Sequence, residues 1–135
     1  DSEGNNMAID TLATWHRIAS ARDVAGLDEL LADQCVFHSP VVHTPQVGKA
    51  VTIQYLAAAF HVFFNETFVY VREVTGDNHA IIEFKVEING ITVNGVDMMT
   101  WDETGQIIDF KVMVRPLKAV RLIHENMGKM LAAQQ

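Results

Sequence analysis

Residues 91–115 read ITVNGVDMMTWDETGQIIDFKVMVR and contain two strand-like segments joined at the turn of residues 102–105. Successive side chains of a strand point to opposite faces, so Asp97 shares its face with the apolar residues Val93 and Met99. An acid in that setting either reaches water at a cavity or keeps its proton, because removal from water disfavours the carboxylate. The segment therefore predicts a partly dry pocket with Asp97 in its wall.

The length and composition fit a single domain of 135 residues, 49% of them hydrophobic, with a buried core. No run approaches the roughly 18 to 20 apolar residues of a membrane span. The polar start DSEGNN lacks the pattern of a secretory signal, so we expect a soluble, cytoplasmic protein without a membrane partner. The net charge of −7 argues against nucleic acid as a partner.

Metal and cofactor motifs are missing from the sequence. The single cysteine, Cys35, excludes an internal disulfide and a cysteine-based zinc site, and it lies in an apolar run typical of a buried thiol. No pair of the six histidines has the helical spacing with an acid that a zinc helix needs. The eight glycines form no phosphate-binding loop or dinucleotide fingerprint. We therefore expect neither a metal nor a cofactor.

Apolar periodicity predicts four helices, and alternation predicts the strands between them. The helices run from Met7 to Ala21, from an N-cap at Asp23 through a buried stripe that ends at Leu31, from Lys49 to Phe64, and from Leu117 to Leu131. The strands cover Cys35–His38, Phe68–Val74, Ala80–Ile88, Ile91–Trp101 and Ile107–Val114. Asn89-Gly90 predicts a hairpin turn, and a second Asn-Gly pair at residues 94–95 is typical of a bulge.

This order of elements predicts an α+β fold in which helices cover one face of a curled antiparallel sheet and enclose a cone. The other face carries charged residues together with Asp109, Lys111 and Met113, and it meets either water or a partner. We expect a homodimer through this face of the sheet.

The segments WHRIASARD (15–23) and LLADQCVFHSP (30–40), with Gly48 before the third helix, resemble the SnoaL-like branch of the nuclear transport factor 2-like superfamily. The resemblance covers nearly the whole chain and implies the cystatin-like cone. It also implies a small-molecule pocket, since the superfamily includes ketosteroid isomerases, polyketide cyclases, dehydratases and non-catalytic binding proteins. It carries more information about the fold than about the chemistry.

The resemblance places three residues at the positions that isomerases of this family use. Trp15 stands where a tyrosine would hold the oxyanion, and Asp97 stands where a protonated aspartate would do so. Ser39 stands where an aspartate before proline would move the proton, and a serine cannot replace that base unaided. The resemblance therefore does not imply ketosteroid isomerase activity.

Two histidines are candidates for the missing base. His38 precedes Ser39, and a neutral imidazole oriented by Asp97 could accept a proton near neutral pH, although its strand parity opposes that of Ser39. His43 lies on the loop between two prolines and could overhang the pocket. The alternative for His38 is a hydrogen-bonded wall residue, and the alternative for His43 is a surface residue. The alternative for Trp15 is simple packing in the core. The remaining expected wall residues are Tyr55, Phe60, Phe84, Met99, Phe110 and Val112.

The sequence is compatible with two functions. One is a cofactor-independent isomerase, cyclase or dehydratase for an apolar carbonyl or cyclic substrate, with Asp97 and His38 as catalytic residues and Trp15 as a hydrogen-bond donor. The other is a non-catalytic protein that binds a small apolar molecule. A histidine that faces the cavity near Asp97 would favour the enzyme, whereas one that faces away would favour the binding protein.

Overall fold

The structure, a computed structural model, describes residues 10–134. Within that range there are four helices and six strands. The helices are α1 (Thr11–Ala21), α2 (Val24–Leu30), α3 (Lys49–Phe63) and α4 (Leu117–Ala133). The strands are β1 (Leu31–His38), β2 (Gln46–Val47), β3 (Val69–Thr75), β4 (His79–Ile88), β5 (Ile91–Trp101) and β6 (Ile107–Arg115). The predicted α+β class is confirmed.

The first two helices begin at aspartate caps. The carboxylate of Asp10 accepts a hydrogen bond from the Ala13 N–H at 3.3 Å, and Asp23 caps α2 in the same way, as predicted. The predicted residues 7–9 of α1 lie outside the described residues. The prediction that Leu31 belongs to the helical stripe is wrong, because Leu31 already begins β1 and pairs with Ile107.

The six strands form one sheet in the order β2-β1-β6-β5-β4-β3. Strands β1 and β6 pair in parallel, and the other neighbouring strands pair antiparallel. The two longest strands, β4 and β5, therefore lie next to each other inside the sheet. Asp97, near the middle of β5, has β4 on one side and β6 on the other.

The β4–β5 hairpin forms at the predicted Asn89-Gly90 turn. Both residues have positive φ angles, 51° and 77°, as a type I′ turn requires. The ladder continues without a break from the pair Ile88–Ile91 to the pair His79–Thr100. The prediction of a bulge at residues 94–95 is therefore wrong, and Asp97 keeps the parity expected from strict alternation. The irregularity lies instead in β6, where the register shifts between the partners of Thr100 and Trp101.

Gly95 is required by close packing within this regular ladder. A Cβ atom at this position would lie 2.6 Å from the carbonyl oxygen of Met113 and 2.6 Å from Cζ of Phe84. The Phe84 ring thus occupies the space above the glycine, between β4 and β5. The Asn-Gly pair marks a tertiary contact of the inner sheet face and not a bend in the strand.

The variant Gly95→Ala should therefore lower the free energy of unfolding by about 1 to 3 kcal/mol, as overpacking does in other cores. Urea denaturation measures this loss. The matched control is Gly128→Ala on α4, where a Cβ would meet nothing within 4 Å and where alanine favours the helix. Equal stability of Gly95→Ala and the unmodified chain would contradict the packing argument.

The helices cover the inner face of the sheet with two groups of buried side chains. One group surrounds Trp15 and Phe110, and the other joins Phe84 to Ile123 of α4. The strand β4 shows why this face is inner, since every second residue from Ala80 to Ile88 is buried. None of the helices described here has the length and apolar character needed to cross a membrane.

The outer face of the sheet combines charged and apolar side chains. Arg72 and Glu83 form an ion pair there at 3.2 Å. Beside them, the cross-strand neighbours Val74 and Ile81 are 56% and 41% exposed, and Met113 on β6 is 50% exposed. Exposed apolar side chains and charged side chains thus lie next to each other on this face.

Candidate functional site

A cavity of about 200 Å³ lies between the inner face of the sheet and the helices α1, α3 and α4. Residues of both buried groups line it, so it lies where the two groups meet. Its walls are mainly aromatic and aliphatic. Aromatic lining residues are Trp15, Phe37, Tyr55, Phe60, Phe63, Phe64, Phe68, Phe84 and Phe110. An apolar ligand would be well accommodated by such walls.

Asp97 is the acid in this cavity. Strand β5 presents it between Ile82 of β4 and Val112 of β6, and its side chain is 8% exposed. None of the hydrogen bonds or ion pairs found among residues 10–134 involves its carboxyl group. Burial raises the pKa of Asp97 from its usual value of 3.8 to about 7. Near neutral pH the group therefore exists in both protonation states.

Tyr70 and Trp15 form a hydrogen-bonded pair close to this acid. The indole Nε1–H of Trp15 donates to the hydroxyl of Tyr70 at 3.2 Å. Burial and the nearby charge of Asp97 raise the pKa of Tyr70, so this phenol remains neutral. The indole N–H of Trp15, which was expected to donate to a ligand, therefore already has a partner within the protein.

The structure brings most of the expected residues to the cavity. Besides Asp97 and Trp15, the lining contains Ser39, Tyr55, Phe60, Phe84, Phe110 and Val112. The Ser39 hydroxyl accepts a hydrogen bond from the Val41 N–H at 3.1 Å and so closes a local turn at the loop. The rings of Tyr55 and Phe37 contact each other at a tilt of 32°, with centroids 5.1 Å apart, and both line the cavity.

His38 does not reach the cavity. Strand β1 buries Cys35 and Phe37 on the inner face, and strict alternation turns His38 to the outer face. There its Nε2 lies 2.9 Å from Oδ1 of Asp109 on β6. Because no irregularity changes the parity near residue 38, the expectation that His38 is oriented by Asp97 does not hold. This ring has the structural role that was left open as the alternative.

His43 and Met99 are also absent from the lining. His43 is exposed on the loop before β2, and Met99 is 1% exposed within the packed core. Met99 pairs across the ladder with Ala80 and Phe110, so its side chain fills space beside the cavity instead of bordering it. Among the described residues there is no cluster of three or more histidine, cysteine, aspartate or glutamate residues that could hold a metal ion.

Several lining residues were not anticipated from the sequence. They come from β1 and the loop after it, from α3 and the segment that follows it, and from α4. The residues are Phe37, Pro40, Val41, Val42, Leu56, Ala59, Phe63, Phe64, Phe68, Ile123, His124, Met127, Gly128 and Leu131. The apolar stripe of α4 predicted a buried face, but not the part of the sheet that this face covers. His124 and Gly128 lie one helical turn apart at the edge of this buried face of α4.

A family comparison agrees with this fold and cavity. The model of the SnoaL-like domain matches residues 12–110, and the chain belongs to that family. The resemblance inferred from the sequence is thus confirmed. A search of curated proteins found no significant match.

Solved structures show the same fold. A steroid delta-isomerase from Pseudomonas aeruginosa is 36% identical over 92% of this chain and 90% of its own, with a TM-score of 0.86. A conserved bacterial protein with a cystatin-like fold from Silicibacter pomeroyi DSS-3 is 27% identical over 89% and 84%, with a TM-score of 0.82. An NTF2-like protein from Mesorhizobium loti is 22% identical over 78% and 91%, with a TM-score of 0.67.

Proposed function

We propose that this protein is a cofactor-independent isomerase or lyase in which Asp97 moves a proton on a small apolar carbonyl or cyclic substrate. The observation that carries the proposal is the isolated carboxyl group of Asp97 in an apolar cavity, with a pKa of about 7. A general base is most effective when its pKa lies near the working pH. Asp97 meets that condition without help from a histidine.

The proposed chemistry uses both protonation states of one group. The carboxylate of Asp97 removes a proton from the carbon next to the carbonyl, and the resulting carboxylic acid returns it at a second carbon. Removal of the proton leaves negative charge on the substrate oxygen, which a hydrogen-bond donor would stabilise. Tyr55 lines the same cavity, and its hydroxyl makes no hydrogen bond within residues 10–134, so we assign it that role.

Two further observations support this substrate class. The Pseudomonas aeruginosa protein is named for an isomerisation, and its 36% identity makes proton transfer a reasonable expectation for this chain. The cavity of about 200 Å³ is below the roughly 300 to 1,000 Å³ of typical ligand sites. A single ring or a short chain suits that volume better than a steroid does.

The pH dependence of isomerisation tests the proposal. The β,γ-unsaturated cyclohexenone is a suitable substrate, because its conversion to the conjugated isomer is followed by ultraviolet absorbance. Since the base must be ionised in the free enzyme, kcat/KM should rise with pH through an apparent pKa near 7 and then level off. A rate that stays constant from about pH 5 to about pH 9 would contradict general base catalysis by Asp97.

A non-catalytic binding protein is the second candidate. It is favoured by Ser39, which takes the place of the family's basic aspartate, and by His38, whose ring is bound to Asp109 outside the cavity. Saturable binding of cyclohexanone and of both cyclohexenones, without interconversion of the two isomers, would establish this function instead.

We also propose that two copies of the chain associate through the outer face of the sheet. The exposed apolar residues Val74, Ile81 and Met113 support this, because monomeric proteins rarely leave such a surface uncovered. Light scattering should give twice the chain mass for the unmodified protein and the chain mass for Ile81→Glu. A monomeric unmodified protein would contradict the proposed dimer.

A further inference from the structure

The cavity contains few polar groups, and two of them are already used within the protein. Its polar side chains are Trp15, Ser39, Tyr55, Asp97 and His124. Trp15 donates to Tyr70, and the Ser39 oxygen accepts from the backbone of Val41. Among residues 10–134, the side chains of Tyr55, Asp97 and His124 make no hydrogen bond or ion pair. A ligand therefore finds three polar side chains without protein partners.

Asp97 and His124 lie at different depths in the cavity. Asp97 is 8% exposed on the sheet, whereas His124 and Gly128 on α4 are exposed although both line the cavity. Gly128 has no side chain, and a Cβ there would meet nothing within 4 Å. Val42, on the loop after β1, also lines the cavity and is 38% exposed. The loop at Val42 and the α4 residues His124 and Gly128 thus form the open rim of the cavity.

The rim and the interior differ in the charge that they can accept. An anionic group placed inside would lose water among aromatic walls and would approach Asp97, so it is disfavoured there. At the rim the same group keeps part of its hydration and meets the imidazole N–H of His124. His124 is the one basic side chain in the lining, which contains no lysine or arginine.

We propose that His124 binds the outer end of the ligand, which therefore carries a carboxylate or a similar hydrogen-bond acceptor at the end opposite its carbonyl. The inference rests on the proposed function, which places the carbonyl next to Asp97. It narrows the substrate class from any small apolar carbonyl compound to a keto acid whose two polar groups are separated by an apolar ring or short chain.

Two fluorescent naphthalenes test the role of His124. 2-Naphthol carries one hydroxyl group, and 6-hydroxy-2-naphthoate carries the same hydroxyl with a carboxylate at the opposite end. We expect the unmodified protein to bind the carboxylate compound about threefold to fivefold more tightly, the range of an exposed ion pair or hydrogen bond. The chain has a net charge of −7, so long-range attraction of the anion does not explain such a preference.

In His124→Leu the preference for the carboxylate compound over 2-naphthol should disappear. The matched control His61→Leu removes an exposed histidine of α3 that does not line the cavity, and it should keep the preference. Failure of 6-hydroxy-2-naphthoate to bind, or a preference that survives in His124→Leu, would overturn the inference. Isomerase activity is a separate readout: a chain with the preference but no turnover keeps the role of His124 and refutes the proposed reaction.

Discussion

Replacing Asp97 with asparagine should lower kcat for isomerisation of the β,γ-unsaturated cyclohexenone by roughly 10²- to 10⁴-fold, the range of a lost general base. Asparagine has nearly the same shape as aspartate but cannot take up a proton from carbon. KM should change little, because the amide still fills the same part of the cavity wall. Steady-state kinetics at about pH 8, where most Asp97 is ionised in the unmodified protein, measures the difference.

Asp109→Asn is the matched control for this experiment. It makes the same chemical change on the outer face of the sheet, where Asp109 contacts His38 and not the cavity. This variant should retain the full rate. A second control, His38→Gln, should also retain it, because the imidazole faces away from the substrate. Equal activity of Asp97→Asn and the unmodified protein would exclude Asp97 as the proton carrier.

The second large effect expected of Asp97→Asn is on stability. In the folded chain the Asp97 pKa is about 7, whereas an unfolded aspartate has a pKa of about 3.9. Between these two values the folded state binds more protons than the unfolded state, so the free energy of unfolding falls as pH rises. At 1.36 kcal/mol per pKa unit, the ionisation of Asp97 should lower the free energy of unfolding by about 3 kcal/mol as the pH rises from 5 to 8.

In Asp97→Asn this part of the pH dependence should vanish, and at pH 8 the variant should be more stable than the unmodified protein. Urea denaturation of both proteins at the two pH values gives the comparison. Asp109→Asn again serves as the control, because it retains Asp97 and should keep the loss. If Asp97→Asn and the unmodified protein lose the same free energy between the two pH values, the raised pKa of Asp97 is refuted.

Local patterns in the sequence predicted those parts of the fold that depend on neighbouring residues. Alternation along β5 predicted the inward direction of Asp97, and Asn89-Gly90 predicted a turn that needs two positive φ angles. The same reasoning failed at Gly95, because the pattern that indicates a bulge also fits a glycine that makes room for a distant ring. That ring belongs to Phe84 on the neighbouring strand, and only the ladder register brings the two together.

The site was less predictable, because its geometry depends on how elements far apart in the sequence meet. The pairing of Trp15 with Tyr70 joins residues 55 positions apart, and Tyr70 lies in a strand with mostly exposed neighbours. His124 belongs to an amphipathic helix whose pattern does not indicate which strands it covers. His38 was a candidate only because it adjoins Ser39, and strand parity, which the sequence did show, keeps it outside the cavity.

The proposed proton transfer depends most directly on the ionisation of Asp97, which nuclear magnetic resonance can follow. The carboxyl carbon of Asp97, assigned by comparison with Asp97→Asn, should titrate with a pKa of about 7 in the folded chain. A pKa near the ordinary aspartate value of about 3.9 would show a hydrated carboxylate and would contradict both the dry cavity and the proposed proton transfer.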